Sequence, residues 1–191
     1  LEGAILSAHE HTLPPAQIME LELAAGQLDF ERGRLGAALG AAERVRREAK
    51  AEGSEERQRA ILLAARVLVY AGAAPLARKA LAKCQPGLNA HALAGLSLQV
   101  RGELALVEGH LPEAQTLLGE ASRMQVRAGD LQAAAASSLR RGELLLEGGD
   151  PDGAREVLES ARALPLERKL SLWADILDTL LCDDPDEQEI L

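Results

Sequence analysis

The chain has 191 residues, 30 acidic and 21 basic, for a formal charge of −9; apolar residues make up 47% of it and aromatic ones only 2%. That length and apolar share fit one domain with a real core and exclude wholesale disorder. One Phe, one Tyr and one Trp cannot form the stacking platform of a single-strand nucleic-acid binder, and the acidic total argues against direct binding of nucleic acid through phosphates. Cys84 and Cys182 lie 98 residues apart, which is neither a disulfide framework nor a CxxC metal knuckle. No apolar run approaches the ~18 residues of a membrane helix, and no signal peptide opens the chain, so no membrane association is expected and the cytoplasm is the default compartment.

Seven Val, five Ile and three Thr are few beside the abundant Ala, Leu, Glu, Arg and Gln, so the backbone preference is helical and an all-α fold is expected. In chain order, helices are predicted over residues 2–12, 15–31, 35–51, 55–71, 75–83, 90–108, 112–128, 131–147, 151–163 and 166–181. Pro75, Pro112 and Pro151 suit first-turn positions, where a missing N–H costs nothing. The last helix carries Trp173 and is expected to cap the fold; the acidic stretch 183–191 reads as a disordered tail.

Internal repeats organise these helices. Arg101-Gly102-Glu103-Leu104 recurs 40 residues later as Arg141-Gly142-Glu143-Leu144. Seven residues beyond each Gly stands another, Gly109 and Gly149, followed by Ala114 and Ala154, Leu118 and Leu158, then Ala121 and Ala161. Upstream, the same spacing links Gly26, Gly33, Ala38 and Ala42, and again Ala65, Gly72, Ala77, Leu81 and Cys84. Each unit reads as helix–turn–helix. The first small residue sits mid-helix where the second helix crosses it. The next Gly ends that helix in a left-handed conformation. The Ala is expected in the second helix, against the first small position. No unit can fold alone, so the units must stack.

The pattern resembles the tetratricopeptide repeat (TPR) family, whose motif places a small residue, a turn Gly, an Ala and a large apolar residue in a period of about 34. The early Trp and Tyr and the regular repeat-end Pro of that family are absent here. Turn-Gly spacings are 39, 37 and 40, and Arg101 and Arg141 stand where a buried Leu is common. These longer Ala/Leu/Arg-rich units look like those of large bacterial signalling and transcriptional regulators. The resemblance implies a right-handed superhelix. Residues 1–13 are expected to hold the second helix of a truncated upstream repeat, 14–163 four helix pairs, 164–182 the capping helix and 183–191 the tail. The chain is thus expected to be cut from a longer array.

In the family, the first helix of each pair lines a concave binding face. By register this face holds Glu20, Gln27, Glu31, Arg59, Arg66, Tyr70, Gln99, Glu103, Leu106, Glu143 and Glu147. An exposed Arg66–Tyr70 cluster suits an interface anchor, the alternative being a solvated helix face. Replacing both by Ala is expected to weaken partner binding and to leave the helix content intact. The family's Lys/Asn clamp for terminal carboxylates is not reproduced. Residues 44–83 hold ten basic and four acidic side chains, a belt that could meet an acidic partner or be ordinary solvated exterior. His9-Glu10-His11 has the wrong spacing for two ligands on one helix face, His91 and His110 are isolated, and no catalytic or nucleotide-binding motif occurs, so no metal, cofactor or catalysis is expected. These readings point to a non-catalytic protein–protein interaction module that engages another protein or a domain of the same full-length protein and can oligomerise. The alternatives are the effector- or partner-sensing arm of a bacterial transcriptional regulator, and an enzyme subunit whose catalytic domain lies elsewhere.

Overall fold

In a computed structural model, the structure describes residues 13–49, 51, 53–84 and 91–165. Among these residues the chain is all-helical: α1 (Pro15–Glu31), α2 (Leu35–Glu48), α3 (Glu55–Tyr70), α4 (Ala74–Leu81), α5 (His91–Val107), α6 (Leu111–Ala128), α7 (Leu131–Glu147) and α8 (Pro151–Arg162). The predicted helices 2–12 and 166–181, Trp173 and the acidic tail lie outside the described residues.

Helix boundaries follow from local chemistry. Ser54, Asp130 and Asp150 cap α3, α7 and α8, their side-chain oxygens accepting from the backbone N–H three residues on. Prolines occupy the first or second position of α1, α4, α6 and α8. All four repeat glycines, Gly33, Gly72, Gly109 and Gly149, have φ between 72 and 80°, the left-handed region expected of them. Gly129, which the repeat pattern did not single out, joins them at 77°. Each closes the helix with the same pair of bonds, as at Gly109: its N–H donates to the Leu106 carbonyl at 3.0 Å, and the His110 N–H donates to that of Ala105 at 2.8 Å. Two helices end two or more residues earlier than predicted. α2 stops at Glu48 because Ala49 turns to extended backbone and Arg57 Nη1 takes the Arg46 and Ala49 carbonyls at 3.2 and 3.0 Å. α4 ends at Leu81, where the next N–H groups close tighter turns onto Ala80 and Leu81.

Consecutive helices pack antiparallel, and α3 also packs on α1 and α5, the first helices of the neighbouring pairs. Apart from the exposed turn glycines, positions of the repeat motif are buried: Ala38, Ala65, Ala77, Ala114 and Ala154 are inaccessible, and so are Leu118 and Leu158 to within 1%. The crossing differs from the sequence reading in one respect. A Cβ on Gly102 or Gly142 would meet not the motif Ala but the Leu one turn further on, Leu118 Cγ at 2.9 Å and Leu158 Cδ2 at 2.7 Å; a Cβ on Gly26 would meet Ala41 and Leu63, both at 3.0 Å. The antiparallel crossing point lies one turn deeper into the second helix, so the large side chain fills the notch that the glycine leaves. The core is a series of clusters, with α3 contributing Ala60, Leu63, Ala64 and Val67 towards α1 and α2, and Ile61, Leu62, Ala65 and Val69 towards α4 and α5.

Opposite outcomes are expected at two helical glycines. Gly142→Ala should lose about 1–3 kcal/mol by overpacking Leu158. Gly40→Ala, where the added Cβ finds only Arg44 Nη1 at 3.5 Å, should gain about 0.5–1 kcal/mol of helix propensity. Urea unfolding of both variants checks this, and a stabilised Gly142→Ala would refute the close crossing.

Candidate functional site

The first helices α1, α3, α5 and α7 share a face that carries two cavities. The first, about 320 Å³, has an apolar floor of Leu23, Leu62, Leu63, Leu93 and Leu96, and Glu20, Gln27, Arg59, Arg66 and Asp130 on its walls. The second, about 300 Å³, is lined by Arg66, Tyr70, Gln99, Glu103, Ser137, Arg140 and Glu143, among others. The two meet at Arg66. Of the eleven residues expected on this face, Glu20, Gln27, Arg59, Arg66, Tyr70, Gln99, Glu103 and Glu143 line one or both cavities. Glu31 and Glu147 are exposed and line neither; Glu31 accepts a bond from Gln27 Nε2 at 3.1 Å. Leu106 is half-buried in the packing between α5, α6 and α7.

A polar chain threads beneath this face. Arg66 is held bidentate by Glu103, Nη2 to Oε1 at 3.0 Å and Nε to Oε2 at 3.1 Å. Gln99 Nε2 donates to Glu103 Oε1 at 3.0 Å. The carboxamide of Gln125 lies 2.8 Å from Gln99 Oε1 and 2.8 Å from Ser137 Oγ, which links α3, α5, α6 and α7. Gln99, Glu103, Gln125 and Ser137 are all buried. On the other side, the Arg66 guanidinium sits 4.8 Å from the Phe30 ring centroid, and Phe30 meets Tyr70 edge-on at 5.0 Å, tying in α1.

This geometry changes the roles read from the sequence. Arg66 is not an exposed anchor: its side chain is 18% accessible and committed to Glu103. Gln99 and Glu103 face inward and hold α5 against α3. Tyr70 alone of the cluster is open, 57% exposed. Loss of Arg66 would leave Glu103 buried and unpaired, so the double Ala replacement would not leave the fold intact. The sequence pattern missed Gln125, Ser137 and Arg140 because they lie off the register that marks the first-helix face or, for Gln125, on a second helix.

The basic belt of residues 44–83 is engaged within the chain. Arg44 pairs with Glu22, Arg46 with Glu43, Arg59 with Glu55 and Arg78 with Glu108, while Arg57 and Arg47 donate to backbone carbonyls. The hydrogen bond and charge of Glu43 raise the Arg46 pKa above its ordinary value. Burial pushes the Cys84 thiol up, with Ser97 and Arg101 pulling the other way; a buried thiol of that kind is a poor nucleophile. His110 sits in the α5–α6 turn, its Nδ1 3.9 Å from Glu108 and 3.8 Å from Glu113. Among the described residues no three His, Cys, Asp or Glu side chains converge as a metal site, and no helix is long and apolar enough to cross a membrane. No protein-family model matches the chain, and comparison with curated proteins finds no relative.

The ion pair gives a direct test. Arg66→Ala should cost about 3–5 kcal/mol by stranding Glu103, whereas the double replacement Arg66→Met with Glu103→Leu should restore most of that loss. Urea midpoints of the two variants decide it; equal destabilisation would show that the pair is not the element holding α3 to α5.

Proposed function

We propose that this chain is a non-catalytic interaction module, a TPR-like right-handed superhelix of helix pairs that takes a partner segment on the face formed by α1, α3, α5 and α7. The partner is another protein or a domain of the same full-length protein, and the setting is the cytoplasm. One observation supports this reading above the rest: eight residues placed on the first-helix face by the family resemblance and the repeat register line two adjoining cavities on one face. The apolar floor of the first cavity suits a large hydrophobic side chain of the partner, and exposed Tyr70 beside the second suits an amphipathic contact. The charges on the walls are largely paired inside the chain, so affinity would come from apolar burial and shape, with the polar groups setting orientation.

A second reading follows from the size of the first cavity. At about 320 Å³ it lies at the low end of the range for small-molecule sites, which favours an effector-sensing arm of a transcriptional regulator.

Peptides selected against the chain from a displayed random library should lose roughly tenfold or more in affinity with Ala24→Trp, which fills the first cavity from an exposed position. They should keep it with Arg155→Ala on α8. Selected peptides indifferent to both Ala24→Trp and Tyr70→Ala would remove this face as the binding surface. A small molecule that raises the melting temperature of the native chain but not of Ala24→Trp would favour the effector reading.

A further inference from the structure

A third cavity, about 420 Å³, lies between α6 and α8 over α7, and none of its lining residues belongs to the two cavities described above. Arg123 and Arg141 stand in its wall with the hydroxyls of Ser122, Ser138 and Ser160. Neither arginine has an ion pair among the described residues, unlike Arg44, Arg46, Arg59, Arg66 and Arg78 of the belt.

Arg141 is anchored rather than free. Its guanidinium lies against the bare backbone of Gly119, where a Cβ would stand 3.4 Å from Nε, Cζ and Nη1. Its Nε is buried with no hydrogen-bond partner, so the guanidinium can meet an anion only through its outer Nη groups, for which no bond within the chain competes among the described residues. Ser122 and Ser138 share a single hydrogen bond, Oγ to Oγ at 2.8 Å. Only one of the two hydroxyl protons can lie in that bond, so the other is left to donate elsewhere.

Two carboxylates share the wall. Asp150 is occupied as the cap of α8, its Oδ1 accepting from the Gly153 N–H at 3.0 Å. Glu156 has no ion pair among the described residues and opposes an anion. The two arginines offset these two carboxylates, so recognition rests on directed hydrogen bonds, of which the three terminal oxygens of a phosphate group accept more than the two of a carboxylate. The volume also leaves room for an organic group beside the phosphate.

We propose that this cavity binds the phosphate group of a small phosphomonoester, gripped by Arg123 and Arg141, with the Ser122–Ser138 pair donating to a phosphate oxygen. The test is titration of the full chain with inorganic phosphate and with glucose 6-phosphate, at pH 7.5 and low salt, followed by amide NMR shifts and calorimetry. Saturable shifts at Gly119 and Ser138 are expected, with the sugar phosphate binding tighter. Arg141→Gln and Arg123→Gln should each weaken binding about tenfold or more, and Glu156→Gln should tighten it roughly twofold or more. Arg123 is exposed, so its variant keeps the test decisive if Arg141→Gln fails to fold. Equal saturable binding of the two probes would overturn the ester and leave the free ion as the ligand. Shifts that never saturate, or that ignore Arg123→Gln, would overturn the site itself.

Discussion

The packing depends on a notch: the missing side chain at Gly102 and Gly142. Leu118 and Leu158 fill these notches so closely that a single Cβ would overlap them. A glycine mid-helix costs about 1 kcal/mol of propensity, and that cost is returned as close helix approach and a fully buried leucine. The left-handed glycine seven residues later then turns the chain back along the same line. One pair of residues thus sets how near the two helices come, and the other sets where the second begins.

Close pairing leaves α3 with neighbours on nearly every side, and this makes its polar residues consequential. The helix is apolar around most of its circumference from Ala60 to Val69. Arg66 is the charged exception, and it is tolerated because Glu103 meets both arms of its guanidinium. The two residues are 37 positions apart, the same interval that separates Gly72 from Gly109. The pair therefore fixes the register of one unit on the next. A buried ion pair is weak evidence for stability, since an apolar pair of equal size often does as well. Its value here is that a slip of α5 along α3 would strand both charges at once.

Much of this was legible in the sequence, because turn chemistry and periodicity act locally. The glycine and alanine spacings mark four of the left-handed turns and the buried alanines of the helix pairs. What the pattern could not give was depth. Helical register says which residues share a face, not whether a neighbouring helix covers it. Gln99 and Glu103 read as groove residues and lie buried beneath it. The partner of each notch glycine was misplaced by one turn, because the crossing point depends on the tilt of two helices rather than on either sequence alone. Gln125 bonds to residues 26 positions before it and 12 after it, and no short-range signal marks such a link.

Charge distribution follows the same logic. Ten basic residues between 44 and 83 suggested a belt facing outward, yet most of its described arginines meet a carboxylate or a helix-terminal carbonyl of the chain itself. Such pairs hold helices in place while cancelling the field that would steer a partner from a distance. The arginines between α6 and α8 are fewer and lack those partners. Where charge is neutralised locally, a surface recognises through shape and apolar contact; where it is left uncompensated and held rigid, it selects for opposite charge. On the proposed readings the first-helix face falls under the former rule, while the cavity over α7, where Asp150 and Glu156 stand opposite Arg123 and Arg141, depends on directed hydrogen bonds as well as charge.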